Sequence, residues 1–376
     1  MIENIKFYLP TKVFFQENCI EEHLPDISSY GKKVLIVSGK HFVFESGLMT
    51  KIKNILEKSN IKYSVFSEVS PEPTTIDCER GVEVAKKENV DVILSIGGGS
   101  AMDVGKVIAI LLRNQGSITN FYGNVEITNE PLAVFAIPTT CGTGSEVTKN
   151  AIVIDTKERV KKTIASDKII PRVALLDPLL LLTLSEKLVG GTGIDALCHS
   201  IESYLSLTAT GMTKIFCNES IKIITEFLQF AVKEKEKAEY RSKILFASLL
   251  AGFAINHTGT ILIHGMAYPL TIKYNLHHGT ANALCLPYAL KYLQQHGYEK
   301  EIKEMERFFT PESLLHLLKN IGLPITGKDI GMKEEEINYI SEESIKNCER
   351  AFKKMKISLN QQDFQELFKN IYSGIL

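Results

Sequence analysis

Four residues in the second half of the chain have the types and spacing of a metal site. Asp195 and His199 are four residues apart in the segment GTGIDALCHSIES, so on a helix their side chains share one face. His264 lies in an apolar helical stretch, and His278 follows a polar break in the sequence. Three imidazoles and one carboxylate suit Fe²⁺ or Zn²⁺, with one coordination position left for water or substrate.

Each of these histidines, taken alone, fits a satisfied core residue better than a metal ligand. The aspartate strengthens the metal interpretation, because a carboxylate among Ile194, Ala196 and Leu197 is costly to bury unless it is paired or metal-bound. His277, next to His278, is the strongest competitor for a ligand position. The other histidines that remain open as alternatives are His23, His41, His257, His296 and His316.

A glycine-rich turn upstream has the form expected of a phosphate-binding loop. The segment DVILSIGGGSAMDVGKVIAILL predicts a buried strand, a tight turn at Gly97, Gly98 and Gly99, and then a helix. The amino end of that helix would offer free N–H groups to a pyrophosphate. Ser100 and Asp103 have the spacing of a capping box, so they are either ligands or structural caps. The loop lacks the G-x-G-x-x-G pattern, and a plain tight turn is the alternative.

A second loop supports the dinucleotide interpretation. The segment IPTTCGTGSEVT follows an apolar strand and holds four hydroxyl residues within 139–145, namely Thr139, Thr140, Thr143 and Ser145. Hydroxyl groups and exposed amides suit ribose and phosphate, although a cluster of helix caps would look similar. Two such loops in one domain favour a bound dinucleotide.

The end of the strand 34–38 bears on which nicotinamide cofactor is used. An NAD site usually places a carboxylate there for the ribose 2′-hydroxyl. This chain has Gly39 and Lys40 instead, so nothing repels a 2′-phosphate and the lysine could pair with it. The sequence therefore favours NADP(H) over NAD(H), the alternative being that Lys40 is simply solvated.

Bulk composition excludes several classes of protein. With 376 residues, 44% of them hydrophobic, the chain can form two domains with separate cores. A net charge of −1 gives no basic field for nucleic acid or an anionic membrane. Seven scattered cysteines and the lack of a signal peptide or an apolar span predict a protein of the reducing cytoplasm.

The hydrophobic pattern predicts an α/β domain over residues 1–180 and an all-helical domain over 181–376. In the first, β-rich runs at 34–38, 63–66, 92–96, 134–137, 151–155, 160–165 and 173–176 alternate with helical patterns at 46–58, 76–88 and 101–112. In the second, helical spacing covers 193–206, 212–233, 238–256, 261–272, 280–296, 312–321, 334–345 and 361–373. Asp195 would then lie at the start of a helix, after a Gly-Thr-Gly turn.

The motifs GGGSAMDVGK, PTTCGTGSE, GIDALCHSIES and HGMAYPLTIKYNLHHGTANALCLP together resemble the iron-containing (group III) alcohol dehydrogenases, in order from about residue 6 to about residue 290. The resemblance implies a Rossmann-like α/β domain with a mostly parallel sheet and a helical metal-binding domain, as in dehydroquinate synthase, with the cofactor between them. It assigns metal binding to Asp195, His199, His264 and His278, and adds Lys162 to the cofactor contacts. It also implies a homo-oligomer, a dimer or larger, acting on a small alcohol or aldehyde.

This chain departs from the family pattern at two positions. Many members carry a second histidine, assigned to proton relay or substrate contact, where this sequence has Tyr268. A phenol is a poorer base than an imidazole at neutral pH, so His277 is an alternative relay. The other departure is Gly39, where NAD-preferring members often carry aspartate.

These features predict a metal-dependent, NAD(P)-linked alcohol dehydrogenase or aldehyde reductase. The ion would polarise the substrate oxygen while hydride passes to or from the nicotinamide. The alternatives are a dehydroquinate synthase-like lyase, which would show no net cofactor turnover, and a non-catalytic nucleotide-binding or assembly protein.

Overall fold

The computed structural model describes residues 5–376, which divide into two compact units. We call residues 8–140 and 144–183 the α/β unit, and the described residues 5–7, 141–143 and 184–376 the helical unit. Residues 141–143, in the middle of the second glycine-rich loop, belong to the helical unit.

The α/β unit is built on a six-stranded sheet in which every neighbouring pair is parallel, in the order β1-β8-β5-β4-β2-β3. A separate antiparallel hairpin pairs β6 with β7. The strands are β1 (Lys12–Phe15), β2 (Lys33–Gly39), β3 (Lys62–Val69), β4 (Val92–Gly97), β5 (Ala133–Pro138), β6 (Asn150–Asp155), β7 (Val160–Ala165) and β8 (Val173–Leu176). The predicted parallel α/β architecture is confirmed.

Helices cover the sheet of the α/β unit, which explains why its central strands are apolar on both faces. In β2, Leu35 and Val37 belong to one buried cluster while Val34 and Ile36 belong to the other. This alternation is what the two-residue period of a strand requires when both faces are covered. The helices of this unit are α1 (Cys19–His23), α2 (Phe42–Glu45), α3 (Leu48–Lys58), α4 (Thr75–Glu88) and α5 (Gly99–Leu111).

The helical unit contains α6 (Glu186–Leu205), α7 (Gly211–Lys233), α8 (Ala238–Thr258), α9 (Leu262–Tyr274), α10 (His278–Gln295), α11 (Glu299–Met305), α12 (Pro311–Asn320), α13 (Ile337–Phe352) and α14 (Gln361–Ser373). The predicted all-helical character is confirmed for the described residues, and α11 is an addition to the predicted set. Within residues 5–376, no single helix is long and apolar enough to cross a membrane, and α8 with α9 meets that test only as a pair bent by 107°.

Candidate functional site

Helix α6 carries the first two candidate ligands in its middle, not at its start. The helix begins at Glu186, where the Ser185 side chain accepts a hydrogen bond from the backbone N–H of Leu188. The Gly-Thr-Gly segment before Asp195 is therefore helical, and its interpretation as a turn was wrong. Its glycines allow close packing: a Cβ at Gly193 would lie 2.4 Å from the side chain of Leu228 in α7.

A second close approach brings α10 against α6. A Cβ added at Gly279 would lie 2.1 Å from the carbonyl oxygen of Gly191 and 3.3 Å from Cβ of Asp195. His278, the first residue of α10, is thereby held beside Asp195. His264 is the third residue of α9, whose chain reverses after Asn275 in the left-handed conformation (φ 50°). Three helices thus converge on one point.

Three of the four predicted ligands meet at that point, and the fourth, His278, lies beside them. The donor atoms of Asp195, His199 and His264 all lie within 4.8 Å of one another, and these three residues are buried. Nε2 of His264 is 3.5 Å from Oδ1 of Asp195, and Nε2 of His278 is 3.9 Å from the same oxygen. Since an ion with four ligands at roughly 2.1 Å separates its donor atoms by about 3.4 Å, this set fits Fe²⁺ or Zn²⁺.

The charges of the site act strongly on one another. Burial alone would raise the pKa of Asp195, but the imidazoles of His199, His264 and His278 lower it well below its ordinary value. Burial lowers the pKa of His199. It also opposes protonation of His264, yet Glu202 and Asp195 raise the pKa of His264 to about 9. An acidic pair around buried imidazoles attracts a cation, whether a proton or a metal ion.

An outer layer of polar groups holds the ligands, and the sequence interpretation missed it. The carboxylate of Glu202, completely buried, contacts Nδ1 of His264 at hydrogen-bonding distance. Asn282 lies closer in, among the donor atoms: its Nδ2 donates to Oδ1 of Asp195 at 2.7 Å and lies 3.3 Å from Nε2 of both His264 and His278. Nδ1 of His199 lies 3.3 Å from the carbonyl oxygen of Gly142. The available signal for Glu202 was its position three residues after His199, on the same face of an apolar helix.

The two candidate proton relays lie near this centre in different settings. The ring of Tyr268 stacks on the ring of His278, with centroids 5.4 Å apart and planes at 21°. His277 immediately precedes α10, and a Cβ at Gly191 would lie 3.4 Å from its Nδ1. A relay role for either side chain stays a prediction.

In the α/β unit, the two predicted dinucleotide loops lie side by side at the carboxyl ends of β4 and β5. The N–H of Thr139 donates to the carbonyl oxygen of Gly97 at 2.9 Å. A Cβ at Gly98 would lie 3.2 Å from Oγ1 of Thr140, so the loops are in contact. Gly97 has φ 150°, which favours glycine, and Gly99 is the first residue of α5. A ligand above these strand ends would face both loops.

Beneath the loops, a buried polar cluster joins α5 to the second loop. Ser145 donates to Oδ1 of Asp103 at 2.7 Å and accepts from Nζ of Lys106 at 2.7 Å. Asp103 also accepts the N–H of Ile152. Burial lowers the pKa of Lys106 to about 8 and raises that of Glu146 to about 7. The Ser145 hydroxyl and the Asp103 carboxylate therefore bind protein groups and hold the second loop in place.

The capping-box interpretation of Ser100 and Asp103 was wrong. Helix α5 is preceded by Gly98, which gives no side-chain cap, and the Ser100 hydroxyl donates to the carbonyl oxygen of Pro71 at 2.5 Å. A capping box at Ser100 would require the helix to begin at residue 101, whereas α5 begins two residues earlier, at Gly99.

The remaining cofactor candidates lie on, or directly after, strands of the α/β unit. Gly39 ends β2 beside the end of β4, and a Cβ there would meet only the carbonyl oxygen of Val69, at 3.8 Å. Lys40 follows it on the surface. Lys162 lies on β7, where its Nζ pairs with Glu158 at 2.5 Å. The position 39 therefore has room for a larger residue.

Comparison with known proteins agrees with this two-part arrangement. Residues 10–178 match the family described as "Iron-containing alcohol dehydrogenase", and residues 190–372 match "Fe-containing alcohol dehydrogenase family, C-terminal". The chain belongs to the iron-containing alcohol dehydrogenase family, as its motifs predicted.

Several relatives match over nearly the whole chain. The 1,3-propanediol dehydrogenase of Citrobacter freundii is 32% identical, covering 99% of this chain and 98% of its own length. The NAD-dependent methanol dehydrogenase of Bacillus methanolicus is 29% identical over 97% of this chain and 99% of its own. Among solved structures, the alcohol dehydrogenase from Oenococcus oeni is 29% identical, with a TM-score of 0.93 over 98% of this chain and 100% of its own.

Proposed function

We propose that this protein is a metal-dependent alcohol dehydrogenase or aldehyde reductase that interconverts a small primary alcohol or diol with its aldehyde. The observation that carries the proposal is the buried donor set of Asp195, His199 and His264, with His278 beside it. Relatives of similar length named for 1,3-propanediol and methanol support a small substrate.

In this proposal, a bound Fe²⁺ or Zn²⁺ supplies a Lewis acid for the substrate oxygen, and a bound nicotinamide accepts or gives the hydride. Asp195 and the three imidazoles would hold the ion. Tyr268 or His277 would pass the alcohol proton to solvent. Gly97, Gly98, Gly99, Ser100, Thr139, Thr140 and Thr143 would provide backbone or hydroxyl contacts to the dinucleotide, with Asp103, Ser145 and Lys162 as supporting candidates.

We further propose that NADP(H) is preferred to NAD(H). The support is the open space at Gly39, where no carboxylate competes with a 2′-phosphate, together with the positive charge of the adjacent Lys40. The Bacillus methanolicus relative is by name NAD-dependent, so the preference has to be measured on this chain.

The decisive experiment adds Fe²⁺ or Zn²⁺ to metal-free protein and follows NADPH and NADH oxidation with aldehydes of two to six carbons. His264→Ala should remove both metal retention and turnover. His316→Ala, which alters an exposed histidine of α12, is the matched control and should retain both. Turnover of the His264 variant near the rate of the unmodified protein would contradict the proposed site.

A further inference from the structure

We infer that Glu202 is a positioning residue for the metal site: it fixes His264 so that Nε2, and not Nδ1, is presented to the ion. This inference rests on the proposed metal-dependent function and names a group outside the four ligands.

Glu202 shares one face of α6 with two ligands. Asp195, His199 and Glu202 are spaced by four and then three residues, so their side chains lie along one stripe of the helix. Glu202 is completely buried, at 0% exposure. A charged side chain in such a place is costly unless several donors satisfy it.

The first turn of α9 provides those donors. Oε1 of Glu202 accepts the backbone N–H groups of Ile261 at 3.0 Å, Ile263 at 2.8 Å and His264 at 3.5 Å. The residue preceding α9, Ile261, has no side-chain oxygen to cap the helix. Glu202 therefore does from a neighbouring helix what a capping side chain normally does within its own.

The other carboxylate oxygen determines the state of the ligand. Oε2 of Glu202 contacts Nδ1 of His264, and a carboxylate can only accept a hydrogen bond. The hydrogen of the neutral imidazole is then held on Nδ1, which leaves the lone pair of Nε2 for the ion. Nε2 is the atom that lies 3.5 Å from Oδ1 of Asp195. One carboxylate thus sets both the start of α9 and the tautomer of its third residue.

Glu202→Gln separates these two effects. If the amide oxygen keeps the backbone N–H groups, the amide NH₂ faces Nδ1 and favours the hydrogen on Nε2, the wrong tautomer for metal binding. If the amide turns over, its NH₂ meets the N–H groups of Ile261 and Ile263 instead. The first orientation costs less, because the oxygen accepts from two well-placed donors.

The test measures Zn²⁺ affinity by chelator competition and the visible absorption spectrum of the Co²⁺ form, neither of which requires activity. Glu202→Gln should bind Zn²⁺ about 10- to 100-fold more weakly and alter the Co²⁺ spectrum. Glu186→Gln, which changes an exposed glutamate in the first turn of the same helix, should do neither. If the Gln variant does not fold, Glu202→Asp tests the same contact: its carboxylate is one methylene shorter, no longer reaches Nδ1 of His264, and should likewise weaken Zn²⁺ binding.

Unchanged Zn²⁺ affinity and an unchanged Co²⁺ spectrum in the folded Gln variant would overturn the inference. So would a fall in the stability of the metal-free protein without any loss of affinity, because Glu202 would then be only a helix cap. Failure of the unmodified protein to bind Zn²⁺ is a distinct result, which would overturn the proposed metal site and the role of Glu202 with it.

Discussion

The contact between α6 and α10 should be the most sensitive packing feature of the metal site. In Gly279→Ala, the new Cβ would start 2.1 Å from the carbonyl oxygen of Gly191, whereas ordinary contact begins at 3.4 Å. The obstacle is backbone and cannot rotate away, so the two helices must part by about 1.3 Å, the difference between those distances. Overpacking of this kind costs about 1–3 kcal/mol, against a helix-propensity gain of at most ~1 kcal/mol.

A neighbouring glycine of α6 provides the matched control. A Cβ at Gly190 would meet only the flexible side chains of Ile321 and Val232, at 3.5 Å and beyond. Gly190→Ala should therefore stabilise the protein, by up to ~1 kcal/mol. The propensity gain is common to both alanine variants, so they should differ by the overpacking cost, about 1–3 kcal/mol, in the free energy of unfolding, measured by urea titration in the presence of a chelator.

The same displacement should weaken metal binding, because Gly279 adjoins His278 and faces Asp195. We expect Gly279→Ala to lower Zn²⁺ affinity at least about tenfold, which corresponds to ~1.4 kcal/mol, while Gly190→Ala leaves it unchanged. Equal stability of the two variants, or unmodified Zn²⁺ affinity in Gly279→Ala, would refute the argument that this close approach builds the site.

Three further predictions concern the cofactor loop, pH and proton transfer. Gly39→Asp should shift the ratio of kcat/KM for NADPH and NADH toward NADH by about tenfold or more, since the carboxylate repels a 2′-phosphate. The pKa of Glu146, raised by burial to about 7 from its ordinary 4.5, means that the folded state loses stability as pH rises between those values. Glu146→Gln should remove up to about 3 kcal/mol of that loss in urea titrations at pH 5 and pH 8. Tyr268→Phe keeps a ring that can stack on His278, so the affinity for Zn²⁺ should persist. If the Tyr268 hydroxyl relays the proton, kcat should fall about 10²- to 10⁴-fold. An unchanged kcat would point to His277 as the relay.

The sequence predicted the central sheet well because its strands are buried on both faces. The predicted run at 92–96 lies within β4, and the predicted run at 173–176 coincides with β8. The edge strand β1 was missed. Among the described residues it pairs with β8 alone, its four residues are half-buried or exposed, and its apolar run covers only residues 13–15, which is too short to mark a strand. The pairing of β1 with β8 depends on tertiary contacts, which the local sequence pattern does not reveal.

Glycine was the main source of error at the site. Gly191 and Gly193 resemble a turn in the sequence, because glycine weakens an isolated helix by about 1 kcal/mol. In the folded chain, α7 lies so close that a Cβ at Gly193 would be obstructed, whereas a Cβ at Gly191 would make only ordinary contacts of 3.4 Å and beyond with His277 and Thr280. Glu202 escaped notice for a related reason: its partner, His264, is 62 residues away along the chain.

Helix α6 therefore contains most of the information that specifies the metal site. Of its 20 residues, one stripe presents Asp195, His199 and Glu202, while the backbone carbonyl of Gly191 receives Gly279 of α10, the residue after His278. A larger residue at 279 would push the two helices apart. Without Glu202, His264 would be free to present either nitrogen. The spacing Asp-x-x-x-His-x-x-Glu is thus informative only together with Gly279, because the polar residues fix which atoms meet the ion and Gly279 fixes how closely α10 approaches α6.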